Sequence, residues 1–112
     1  MSKKHLFFAF TNPVPGGEAE YNEWQNKVHL PDGLENPGFV GVKRYKLADA
    51  QFGPQDGRAA YVNVWEIESD DLSATLAQAA VQQKDAVISD AMDFSNISTA
   101  IYTLDDWGGQ ES

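Results

Sequence analysis

"RAAYVNVWEI", Arg58 to Ile67, alternates between two faces with a period of two. Ala60, Val62 and Val64 point one way, and Tyr61, Asn63 and Trp65 point the other. This is the pattern of a strand with apolar character on both sides, and everything else in the chain is placed by reference to it. On its amino-terminal side, Gly53-Pro54-Gln55-Asp56-Gly57 is a turn-rich connector. The connector links it to an earlier strand, "GFVGVKRYKL" (38–47). On its carboxy-terminal side, "SDDLSATLAQAAVQQKDAVIS" (69–89) opens with a Ser/Asp capping signal. The same segment puts Leu72, Leu76, Ala79, Ala80, Gln83 and Val87 on one helical stripe.

Further out, "KKHLFFAFT" (3–11) predicts a first strand, stopped by the Pro- and Gly-rich 12–17. From Glu18 the period becomes helical, with Tyr21, Trp24 and Val28 on one face and Glu18 and Glu20 in the first turn. Pro31 biases Leu30 toward extended geometry and predicts a helix end near His29. "NISTAIYTL" (96–104) predicts a last strand, followed by an acidic tail. The order β-α-β-β-α-β is the ferredoxin-like arrangement, an α+β fold with a four-stranded antiparallel sheet and two helices on one face. Two helices cover one face only. The apolar residues on the other face predict a second subunit stacked sheet to sheet, hence a homodimer.

Bulk properties bound the function. A chain of 112 residues makes a single domain over 1–112 with one core and a small pocket. Net charge is −9, eight basic residues against seventeen acidic, which argues against nucleic acid and against an anionic membrane surface. Cysteine is absent, which removes disulfides, thiol nucleophiles and sulfur-ligated metals. The apolar run Leu6 to Phe10 is too short for a signal peptide or a membrane span, so the expectation is a soluble, cytoplasmic protein.

The segment "NPVPGGEAEYNEWQNKVHLPDGLENPGFVGVKRYKLA" (12–48), followed by "YVNVWEIESDDLSATLAQ" (61–78), resembles the EthD-like branch of the dimeric α+β barrel superfamily. Its most specific part is the spacing of Glu20, Trp24, His29, Pro31 and Asp32, followed by Pro37-Gly38-Phe39. The resemblance implies a small homodimer with a cleft between helices and sheet in each subunit. The superfamily includes cofactor-free cyclases, lactone isomerases, dehydratases and quinone-forming monooxygenases, with haem-degrading and haem-peroxidase branches beside them. The resemblance also places His5 where some cyclases of the superfamily carry a pocket histidine.

His29 admits two roles. It sits on the flank of the Tyr21, Trp24 and Val28 face, where it can look into the cleft mouth as a general acid/base; equally, an imidazolium at a helix end can hydrogen-bond the last carbonyls. The resemblance favours the first. Tyr61, Asn63 and Trp65 form an aromatic-amide-aromatic ladder suited to a flat, partly polar ligand, though ordinary cross-strand packing would also produce it. Trp24, Trp65 and Phe39 would shape the walls, and His5 and Phe7 would share the cleft face. Arg44 and Tyr45 point to opposite faces, so at most one lines the cleft; Tyr45 is the candidate. Gln83 would reach in from the second helix or mark a stripe edge, and Tyr102 reads as structural.

No metal ligand set emerges from two histidines twenty-four residues apart, although one histidine is enough to ligate haem iron. No cofactor is expected. The leading expectation is a cofactor-independent lyase or isomerase acting on a small aromatic or polyketide-like molecule. Dehydration, cyclisation, lactone isomerisation and retro-aldol cleavage all suit it, with His29 moving the proton and Asn63 and Tyr61 holding the developing oxyanion. The rivals are a cofactor-free monooxygenase of electron-rich aromatics and a non-catalytic ligand-binding homodimer.

Overall fold

The central strand found in the sequence is central in space. The computed structural model describes residues 2–110; Met1 and the last two residues of the acidic tail lie outside that range. Four strands, β1 (Lys3–Thr11), β2 (Phe39–Lys46), β3 (Tyr61–Ser69) and β4 (Ser98–Thr103), form one sheet in the order β2-β3-β1-β4. Every pairing is antiparallel. The helical segments are α1 (Glu18–Trp24), α2 (Leu30–Gly33) and α3 (Leu72–Gln83), with a π-helical turn at Gln25–His29 joining α1 to α2. The α+β ferredoxin-like arrangement expected from the element order is the observed one.

Register assigns the faces. Tyr61, Asn63, Trp65 and Ile67 stand opposite Thr11, Ala9, Phe7 and His5 on β1, so these eight share the face covered by the helices. On β3 the alternation is strict: Tyr61, Asn63, Trp65, Ile67 and Ser69 are buried, while Glu66 and Glu68 are exposed. Two apolar clusters occupy the covered face. Phe39, Trp65 and Ile67 form one, with Leu30, Val42, Leu72, Leu76 and Ala79 packed on it; Tyr21, Tyr61 and Ala91 form the other. The opposite face carries Leu6, Phe8 and Phe10 from β1, Tyr45 from β2 and Tyr102 from β4. Leu6, Tyr45 and Tyr102 are exposed there, uncovered by any of the described elements.

Two boundary expectations are overturned. The first helix does not end at His29: His29 (φ −67°, ψ −48°) and Leu30 (φ −66°, ψ −47°) are both helical, and the helix runs through Pro31 to Gly33. The π-turn makes this possible. Leu30 N–H donates to Gln25 O, five residues back, and the wider turn takes the preceding carbonyls out of the path of the proline ring. Regular bonding resumes with Leu34 N–H to Leu30 O at 3.1 Å.

The second helix is also shorter than its apolar stripe. Asp71 caps it, accepting from Ala74 N–H at 3.1 Å, but it stops at Gln83, where Lys84, Asp85 and Ala86 donate to carbonyls only three residues back. Val87, expected on the stripe, is 65% exposed. The chain turns there to bring Ala91 into the Tyr21 and Tyr61 cluster and to offer the Val87 carbonyl to the Trp24 indole N–H at 2.8 Å.

Candidate active site

His29 owes its position to the π-turn, which carries it over the sheet instead of leaving it at a helix end. Its imidazole stacks on Trp24 with ring centroids 4.9 Å apart and planes 18° from parallel, and meets Trp65 edge-on at 5.8 Å and 87°. Phe39 meets the Trp65 ring in turn at 5.8 Å and 70°. The Trp24 bond to Val87 O fixes the stacking plane. Gly33 completes the packing: a Cβ at that position would lie 2.1 Å from the Trp65 ring, so only glycine lets the end of α2 settle on the indole. His29, Trp24, Trp65 and Phe39, all singled out from the sequence, thus form one aromatic group.

The carbonyl-capping role of His29 does not survive this geometry. Its backbone lies inside the helical run, and among the described residues its ring makes no hydrogen bond. Burial pushes the His29 pKa below the usual imidazole value, and the Asp32 carboxylate opposes that shift without reversing it. Burial thus favours the neutral ring, the form a general base requires, over an imidazolium.

The ring lines a cavity of about 190 Å³ between the end of α2 and the end of α3. Gln83, expected at this edge, lines it too, with Asp32, Glu35, Asn36 and Asp85 at the mouth. The acidic side chains and Asn36 were not among the sequence candidates. Asp32, Asn36 and Asp85 resemble ordinary turn residues, and only the approach of α3 brings Asp85 to the other side of the opening.

Several candidates go elsewhere. Asn63 faces the helices but is buried beneath α1, where its Nδ2 donates to Gln25 Oε1 at 2.9 Å; it does not line the cavity. Tyr61 lies against Tyr21, centroids 5.4 Å apart, in the second cluster and also stays out of the cavity. His5 is buried between Thr103 Oγ1 (2.8 Å from Nδ1) and Ser69 O (3.4 Å from Nε2), away from the His29 cavity, and lines a separate cavity of about 400 Å³ beside Leu6, Tyr102 and Leu104. Phe7 packs on the Phe39, Trp65 and Ile67 cluster as a wall behind the site.

Tyr45 is the clearest correction. It pairs with Val62 on the uncovered face and is 53% exposed, because β2 enters at Phe39 with a bulge before Gly41 and so turns Arg44 inward. Arg44 occupies the inner position that Tyr45 was expected to take. Its Nη2 donates to Asn22 Oδ1 at 2.8 Å, and its guanidinium lies 5.0 Å from the Tyr61 ring centre and 5.5 Å from that of Tyr21.

Among the described residues, no group of three or more His, Asp or Glu side chains is placed to hold a metal ion. No helix of the described chain is long and apolar enough to cross a membrane.

No family model and no curated protein matches the chain in sequence. Solved structures do match in shape. One is a "putative monooxygenase" from Shewanella loihica PV-4, with a TM-score of 0.59 and 17% identity over 91% of this chain and 94% of that one. Another is an ethyl tert-butyl ether D (EthD) family protein from Bacillus halodurans C-125, with a TM-score of 0.52 and 15% identity over 100% of both chains. The chain therefore has the ferredoxin-like α+β fold of an EthD family protein.

Proposed function

We propose that the protein is an EthD-like enzyme that abstracts a proton from a small aromatic or polyketide-like molecule, with His29 as the general base and without an added cofactor. The observation that carries this reading is the His29 ring itself, stacked on Trp24, open to a cavity of about 190 Å³ and with its pKa lowered by burial. Trp24 and Trp65, with Phe39 behind, hold the His29 ring from the core side without lining the cavity, and Gln83 and Asn36 offer hydrogen bonds at its edge. Dehydration, ring closure, lactone isomerisation and retro-aldol cleavage all begin with this proton transfer. Asn63 and Tyr61 support the site through the sheet; their burial favours a positioning role over contact with the oxyanion.

The likeness to the Shewanella protein favours a second reading, in which the deprotonated, electron-rich substrate reduces oxygen directly. Both readings require the same base. A panel of hydroxylated aromatics and poly-β-ketones, followed by absorbance and by an oxygen electrode, separates them: turnover without oxygen uptake supports the lyase or isomerase, and stoichiometric uptake supports the monooxygenase. In either case His29→Gln is expected to lower kcat/KM by about 10² to 10⁴ while leaving the fold intact. A folded His29→Gln protein with full activity would overturn the assignment.

The uncovered sheet face supports a homodimer. Leu6, Val40, Tyr45, Tyr102 and Leu104 are exposed on or beside it, and Lys4 and Lys43 are balanced there by Glu66 and Glu68, so the face is apolar and self-complementary in charge. Sedimentation at micromolar concentration tests this, and a monomer would remove it.

A further inference from the structure

Gln25 and Asn63 are the most buried polar side chains in the described chain, each about 1% exposed. They share one hydrogen bond, which satisfies one group on each amide. Gln25 Nε2 and Asn63 Oδ1 are left without a partner within the chain. Arg44 stands directly opposite Asn63 in the β2–β3 ladder, on the same face, and its Nε is likewise buried and unpartnered. Its Nη2 is already committed to Asn22. Two donors and one acceptor on three neighbouring side chains are therefore buried with no partner among the described residues.

The demand does not depend on how the amide atoms are assigned. Exchanging oxygen and nitrogen on both amides preserves their mutual bond and leaves an acceptor on Gln25 with a donor on Asn63. Together with Arg44 Nε the set is again two donors and one acceptor. A carboxylate or carbonyl oxygen cannot donate to the acceptor, and an ammonium group cannot accept from the donors. A hydroxyl oxygen does both.

We infer that Gln25, Asn63 and Arg44 form a buried binding site for a single hydroxyl oxygen, filled in the free protein by one water molecule with three hydrogen bonds. Such a water joins the π-turn to β2 and β3. It makes Gln25 a reason for that turn, since Gln25 opens the π-segment that carries His29 at its other end. The inference rests on the orphaned groups and not on the activity of His29, so either can fail without the other.

The test is a crystal structure of the full chain without added ligand, together with water–amide cross-relaxation by NMR in solution. The expected result is one isolated oxygen within about 2.7–3.2 Å of the Gln25 amide, the Asn63 amide and Arg44 Nε. A long-lived water cross-peak to the side-chain amide protons should accompany it, and should be lost in Arg44→Lys and in Asn63→Leu. A second crystal grown with phenol distinguishes the source: ring density attached to the oxygen identifies an organic hydroxyl at the same site. Direct pairing of Arg44 Nε with Asn63, with no oxygen between the groups and no cross-peak in the unmodified protein, would overturn the inference.

Discussion

The two faces of β3 are built from one alternating stretch and have opposite fates. Tyr61, Asn63, Trp65 and Ile67 are buried by helices of the same chain, whereas the other face shares its surface with exposed Tyr45 and Tyr102. The inner face therefore contributes to folding of the subunit, and the outer face is available for association. Alternation in sequence specifies which residues share a face, but not which body covers it. A substitution on the inner face should be felt as stability, and one on the outer face as a change in assembly.

The strongest way to test that contrast is Trp65→Ala, which removes the indole shared by His29 and Phe39. It is expected to cost about 3–5 kcal/mol of unfolding free energy, read from urea denaturation. Gly33→Ala comes next, since the added Cβ meets a ring already packed against Phe39. A loss of about 1–3 kcal/mol is expected, together with a changed near-ultraviolet signal from the displaced indole. On the outer face, Leu104→Glu should leave the unfolding of the isolated subunit nearly unchanged and weaken self-association about tenfold, some 1.4 kcal/mol, by sedimentation. Equal stability losses on both faces, with no change in assembly, would break the comparison.

The smallest effect lies at the boundary between the inner face and the cavity. His29 has its pKa lowered by burial in the folded state, so the unfolded chain binds more protons between the folded value and the ordinary value near 6.5. The stability associated with the neutral ring is thus fully present above about pH 6.5 and is lost as pH falls through the folded pKa. Asp32 works against the shift. Asp32→Asn should therefore move the His29 titration, and the acid limb of any pH–rate profile, further down. An upward movement would contradict the assigned causes.

Much of the fold is legible in the sequence. The alternating stretch is a strand from Tyr61 onward, the aromatic run at 3–11 is a strand, and the period of three and four after Glu18 begins α1. The misreadings have specific causes. Local rules stop a helix at Pro31, but a π-turn removes the clash, and the packing of Gly33 on Trp65 rewards continuing. An apolar stripe predicts helix as far as Val87, but the Trp24 indole needs a carbonyl and the Tyr21 cluster needs Ala91, so the chain leaves the helix at Gln83.

At the site, period-two logic placed Asn63, Tyr61 and Trp65 on the correct face, and only Trp65 reached His29. Face is a property of one strand; position under a particular helix depends on register with the others. The same limit explains Tyr45, whose direction was settled by the bulge after Phe39, and Gln25, whose role depends on a partner thirty-eight residues away.

The central claim is that His29 is a neutral base buried against Trp24. NMR titration of the imidazole carbon-bound protons in the intact protein, with His29→Gln used for assignment, tests it most directly. His29 is expected to titrate below 6.5. A His29 that titrates at or above 6.5, as a solvent-exposed or carbonyl-capping imidazolium would, contradicts it.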